Sequence, residues 1–253
     1  MTGQSALEAA PCDIAGELVM ICAIAEMLEG LRHVAVGAAS PIPGSAAFLA
    51  QHRSGGAMRV SLLGQSRKAA FSDGARELFD CAAQGRIDAF FLSGAQIDGQ
   101  ANINLVYIGD PDAPKARFPG SFGSTYLYFL VPRVILFREE HSRRTLVDKV
   151  DFISAPGHSE PNVYRPGGPY ALVTGRCVFR FQPQEGRFVL TSVHPGHSVE
   201  EIRDETGFAF DLPEGGSVPQ TPLPDADTLK TLHGPVREQI AEVYPGFANR
   251  VFA

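Results

Sequence analysis

Three short apolar runs, residues 33–37 (HVAVG), 59–63 (RVSLL) and 89–92 (AFFL), each separated from the next by a helix-like segment, restrict the fold of this chain more than any other feature. Runs of this length are too short for independent helices; 33–37 and 59–63 are β-prone and 89–92 is strongly apolar, which fits strands of a sheet. Strands that alternate with helices must return in the same direction, so the pattern predicts an α/β fold: a mainly parallel open sheet with helices on both faces. Ligands of such sheets bind outside the carboxyl ends of the strands. The loops after Gly37, Leu63 and Leu92 are therefore where chemistry is expected.

The intervening segments carry helical spacing. Ile14, Leu18, Ile21, Ala25 and Leu28 recur at three and four residues, predicting an amphipathic helix over 13–31, capped by Asp13 and stopped by Gly30. A Pro- and Gly-rich loop over 40–45 is expected to precede an Ala-rich helix ending near Gln51, and a further helix is expected over 73–84 with Asp73 as its cap. The second half is richer in hairpins, with strand-like runs at 133–137, 170–174, 177–181 and 187–192. A short helix over 199–206 and a closing helix near 227–243 complete the pattern. With 253 residues and no internal repeat, the chain is read as a single domain, 1–253.

Composition narrows the function classes. A formal charge of −6 disfavours a nucleic-acid partner, which is held by a basic face. Cys12, Cys22, Cys81 and Cys177 include no CxxC pair, so neither a metal site nor a disulfide framework is expected, and a cytoplasmic location follows. No apolar run is long enough to span a membrane. The basic residues Arg138, His141, Arg143 and Arg144 are interrupted by Glu139 and Glu140 and read as a solvated charged loop. His158, His194 and His197 sit beside Pro-Gly turns and read as turn histidines, and no GxSxG elbow supports a serine triad.

Two stretches carry a ligand signal. In SGAQIDGQANINLVYIGD, residues 93–110, Gly94 and Ala95 admit a close approach to the backbone, while Gln96, Asp98, Asn102 and Asn104 offer polar contacts. In FPGSFGS, residues 118–124, Pro119, Gly120, Ser121 and Gly123 precede an apolar helix whose first N–H groups suit a phosphate or an oxyanion. The plain alternative for both is a well-capped structural turn.

Taken in order, GAQID, ANIN, IGD, PGS, DKVDFISAPG, GPYALVTGRCVFRF and TSVHPGHSVEEIRDETGF resemble the β subunits of family I CoA-transferases, such as the glutaconate and 3-oxoadipate enzymes. The resemblance implies a fold shared with sugar-phosphate isomerases, an α-type partner chain in an αβ or α2β2 assembly, and a coenzyme A thioester as substrate with no permanently bound cofactor. It also implies that a glutamate at a strand end attacks the acyl-CoA carbonyl and carries CoA as a glutamyl thioester. Here the corresponding strand, 59–63, continues as Gly64, Gln65, Ser66 and Arg67, with no carboxylate. Gln65 stands in the region of the missing glutamate, and an amide cannot form the thioester. Asp73 and Glu77 are the nearest acids. CoA transfer is the first expectation, a CoA-dependent ring-opening hydrolase of the same superfamily the alternative, and a non-catalytic scaffold subunit the third; a sugar-phosphate isomerase rests on fold alone.

Overall fold

A computed structural model describes residues 15–65 and 71–253. Helix α1 (Gly16–Glu26) leads into β1 (His33–Val36), α2 (Pro41–Arg53), β2 (Arg59–Leu62), α3 (Gly74–Ala83) and β3 (Ala89–Leu92). Two small antiparallel ladders follow, β4 (Gln96–Ile97) with β5 (Ile103–Asn104) and β6 (Tyr107–Gly109) with β7 (Pro114–Arg117). Beyond them come α4 (Ser124–Leu130), β8 (Arg133–Arg138), β9 (Pro169–Thr174), β10 (Cys177–Gln182) and β11 (Arg187–Val193). Helices α5 (Val199–Glu205), α6 (Ala226–Thr231), α7 (Arg237–Ala241) and α8 (Pro245–Val251) close the chain.

The main sheet has seven strands in the order β11-β10-β9-β8-β3-β1-β2. Strands β2, β1, β3, β8 and β9 run parallel, while β10 and β11 extend the edge as antiparallel hairpins. This is the mainly parallel sheet with a hairpin-rich second half that the pattern predicts. Successive residues of each inner strand feed opposite cores: Val34 and Val36 face one, Ala35 the other; Ala89 and Phe91 face the first, Phe90 and Leu92 the second. Both faces are covered, so the strands read as continuous apolar runs rather than alternating ones. One layer is built from α1, α2 and the C-terminal helices, the other from α3, α4, α5 and the small ladders.

Four local differences have physical reasons. Helix α1 is not amphipathic: residues 18–25 are all buried, because α2 and strand β9 pack against it. The predicted cap Asp13 lies outside the described residues. Residues 41–45 form the first turns of α2 rather than a loop, since prolines at helix entry lack only N–H groups that would be orphaned there. The closing helix breaks at Gly234 and Pro235, where φ −98° and ψ −108° at Gly234 leave the helical region.

At α3 the expected cap is reversed. The Asp73 side chain makes no cap bond. Instead the Glu77 carboxylate accepts from the Asp73 N–H at 3.2 Å and the Ser72 hydroxyl at 3.0 Å, which holds its pKa below the ordinary range.

Candidate active site

The carboxyl ends of β1, β2 and β3 open into a cavity of about 400 Å³. Residues 37–40 follow β1 into its wall, Leu63 enters after β2, and Ser93 after β3. Helix α3 adds Leu78 and Phe79, and α4 adds Leu127. All three strand-end loops singled out by the parallel pattern thus meet at one place.

Two of the cavity's loops hold non-glycine residues in the left-handed region, Ala39 at φ 53° and Phe122 at φ 41°. Such conformations cost about 1 kcal/mol or more and persist where the surroundings impose them. At Ala39 the restraint is visible: Tyr244, just before α8, accepts a hydrogen bond from the Ser40 N–H at 3.2 Å. At the other wall, Gly123 lies against the tip of the Phe79 ring, and a Cβ there would stand 2.0 Å from Phe79 Cζ. Glycine at 123 is what lets Phe79 close the cavity. Around this wall, Phe79 packs against Phe122 and Tyr126 with ring centroids 5.8 and 5.6 Å apart, yet Phe122 remains 88% exposed and Tyr126 is exposed as well.

Ser121 and Gly123 line the cavity; Pro119 and Gly120 precede them in the chain and are not among its lining residues. Some N–H groups of this loop are already engaged, Gly120 donating to the Leu105 carbonyl at 3.1 Å and Ser124 to the Ser121 carbonyl at 2.8 Å.

The polar residues of 94–104 are placed differently. Ala95 donates its N–H to the Asn104 carbonyl, and Gly94 packs against Ile103 so closely that a Cβ would lie 2.6 Å from Ile103 Cγ2. The Gln96 amide oxygen accepts from Asn104 Nδ2 at 2.8 Å and from the Asp151 N–H at 3.0 Å, while Gln96 Nε2 donates to the Asp151 carboxylate at 3.1 Å. Asn104 also donates to the Tyr107 carbonyl and accepts from the Val106 N–H. Asp98 gathers the N–H groups of Gln100 and Asn102 on one oxygen, with Asn102 Nδ2 and the Val150 N–H on the other. Burial pushes the Asp98 carboxyl above its ordinary value despite these donors.

Gln96 with Asn104, and Asp98 with Asn102, are therefore brought together as bonded pairs within the hairpin. Neither pair reaches the 400 Å³ cavity; Asp98 and Asn102 instead border a separate polar cleft shared with Lys149 and Arg187. Replacing Asn104 with alanine leaves a buried Gln96 oxygen and the Tyr107 carbonyl short of a donor. The expected result is a loss of about 1–3 kcal/mol, read as a lowered urea midpoint with unchanged slope.

Gln65 is buried directly after β2, its N–H donating to the Leu62 carbonyl at 3.4 Å. Ser66 and Arg67 lie outside the described residues. Asp73 and Glu77 do not reach the cavity, and among the described residues no carboxylate lines it.

Two of the three histidines beside Pro-Gly turns make internal contacts. His194 is buried between Thr221 Oγ1 at 2.8 Å and the Thr174 carbonyl at 2.9 Å, and His197 pairs with Glu201 at 3.0 Å. His141 is not part of a solvated loop: it is buried between Thr174 and Thr206. Its basic neighbours are engaged, Arg144 and Arg138 with Glu140 and Arg143 with the Asp204 carbonyl. Arg144 holds the Glu140 carboxyl down at about 2. Cys22, Cys81 and Cys177 are buried free thiols.

The residues missed by reading for polar groups are the cavity's apolar walls, Ala38, Phe79, Phe90 and Leu127 among them. Their sequence signal is faint, because a core residue and a pocket residue have the same side chain.

The sequence profile of the family described as Coenzyme A transferase matches residues 19–205. Over 154 residues the chain is 37% identical to the B-type subunit of 3-oxoadipate CoA-transferase from Pseudomonas knackmussii, a match covering 58% of each protein. Over 137 residues it is 28% identical to the cholesterol ring-cleaving hydrolase IpdB subunit of Rhodococcus jostii, covering 53% of each. The chain thus spans less than two thirds of the curated relatives it matches. Among solved structures, the decarboxylase AibA/AibB superposes with a TM-score of 0.75 at 26% identity, over 95% of this chain and 100% of that one.

Proposed function

This chain belongs to the coenzyme A transferase family, and from that premise we propose that it is the B-type subunit of a heteromeric enzyme that cleaves a carbon–carbon bond in an acyl-CoA thioester. The observation that carries this reading is the chemistry of the strand ends. Residues 63–72 contain no carboxylate, and no described carboxylate lines the cavity. A glutamyl thioester, the intermediate on which transfer depends, has no carboxylate to form on among the described residues that line this cavity.

Two of the relatives support bond cleavage, one a ring-cleaving hydrolase subunit and one a decarboxylase. An α-type partner, in an αβ or α2β2 assembly, covers the exposed Phe122 and Tyr126 and completes the site. Aromatic residues of this kind at a pocket rim are what protein interfaces bury. Within this chain, Ser121 and Gly123 contact the substrate directly and Gln65 sits beside the reacting carbonyl. Gly94, Ala95, Gln96, Asp98, Asn102 and Asn104, with Pro119 and Gly120, are proposed to contribute to binding the substrate and its CoA portion, and the polar cleft that Asp98 and Asn102 border supports that reading. The thioester is the substrate, and residues 1–253 act as one unit. Three buried free thiols fit a reducing compartment such as the cytoplasm.

A second reading, CoA transfer with the carboxylate supplied by the partner, is favoured by the 37% identity to a transferase subunit. Isotope labelling separates the two. The complex, purified with its partner, is incubated with acyl-CoAs and a labelled carboxylate acceptor. Cleavage of a carbon–carbon bond yields a shortened or ring-opened product still joined to CoA, without label in any thioester, whereas release of free CoA alone would mark thioester hydrolysis and count against the cleavage reading. Labelled acyl-CoA would establish transfer and overturn the cleavage reading.

A further inference from the structure

The walls of the 400 Å³ cavity specify more than its position. Leu63, Leu78, Phe79, Phe90, Leu92 and Leu127 enclose it, and no charged residue among the described ones borders it. Its polar side chains are the hydroxyls of four serines, and two of these are spent internally, Ser40 donating to the Ala38 carbonyl and Ser124 to the Ser121 carbonyl. A carboxylate moved among these described walls would exchange water for apolar surface, with no cation of theirs to pair with. A hydrocarbon group of matching size gains from the same transfer. At about 30 Å³ per water-sized group, the space accommodates roughly a dozen carbon atoms.

We propose that this cavity is the acyl subsite and that it selects an apolar acyl group, cyclic or branched, without a distal carboxylate. The inference rests on the reading of the substrate as an acyl-CoA and adds its chemical class. It separates this chain from relatives whose named acyl groups are dicarboxylic. Leu78 and Leu127, facing each other from α3 and α4, and the Phe79 ring held against Gly123 are the specificity-determining side chains.

The test is equilibrium binding of the purified complex to two thioesters that share CoA and differ in the acyl group, cyclohexanecarbonyl-CoA and glutaryl-CoA, with free CoA as reference. Cyclohexanecarbonyl-CoA is expected to bind about tenfold or more tightly than glutaryl-CoA. A second protein, Ala75→Arg, places a cation at the cavity's edge on a helical position that is only partly buried, and is expected to raise glutaryl-CoA affinity about tenfold. If both thioesters bind and glutaryl-CoA equals or exceeds the other, the acyl class assigned here is wrong while the CoA reading stands. An unchanged glutaryl-CoA affinity in Ala75→Arg would place the acyl group elsewhere. If neither thioester nor CoA binds, the substrate reading falls and the inference with it.

Discussion

A Gly157→Ala protein is expected to lose about 3 kcal/mol or more of stability, the scale of a severe core clash. Gly157 ends the SAPG segment and lies against the turn of the 94–104 hairpin, where its N–H donates to Asn102 Oδ1 at 3.1 Å. A Cβ there would stand 2.1 Å from the Gln100 carbonyl oxygen and 2.7 Å from the carbonyl carbon and oxygen of Ala101. All three are backbone atoms, so no side chain can swing aside. The contact also bears on α4, because Tyr128, fully buried, donates its hydroxyl to the Ala101 carbonyl at 2.8 Å. Displacing Ala101 therefore disturbs the helix that supplies Leu127 to the cavity. The matched control is Gly246→Ala in α8, where an added Cβ meets nothing within 4 Å. There the same methyl group is expected to be neutral or to stabilise by up to about 1 kcal/mol through helix propensity. Urea denaturation of the two proteins reads both effects, and equal midpoints would refute the packing argument.

Acid should unfold this protein earlier than its carboxylates alone would require. His141 and His194 are buried with their ring nitrogens engaged by Thr174, Thr206 and Thr221, and burial lowers each from the ordinary 6.5 to about 4. In the unfolded chain each binds a proton near pH 6.5, and in the folded chain only near pH 4. Between those values the unfolded state holds more protons, so stability falls as pH falls across the window. The loss approaches about 3 kcal/mol per histidine below pH 4. Above pH 7 both imidazoles are neutral in either state and contribute no slope. Stability measured by urea at intervals from pH 7 to pH 4 should show this decline, and His194→Gln should flatten it while lowering stability at pH 7. An unflattened slope in that variant would assign the acid response to other groups, such as Glu140, whose pairing with Arg144 fails only at lower pH.

The architecture was legible in the residues because its determinants are local. Short β-prone runs at 33–37, 59–63 and 89–92 read as strands, helical spacing between them forces parallel return, and parallel strands place their ligand end on one side of the sheet. The carboxyl-end loops after Gly37, Leu63 and Leu92 follow from that alone, as does the absence of an acid after β2, since a residue type is read without a structure. Tertiary structure decided everything that depends on which groups meet. Gln96 and Asn104 look like isolated amides in the sequence, but the fold bonds them to each other, to Asp151 and to the hairpin backbone, and partners 55 residues apart cannot be read from spacing. Helix α1 carries a helical pattern at both ends, yet burial on every side follows from what packs around it. The cavity walls are the clearest case: Leu78, Phe79 and Leu127 differ from core residues only in facing a space left unfilled, and whether neighbouring atoms fill that space is a property of the folded chain.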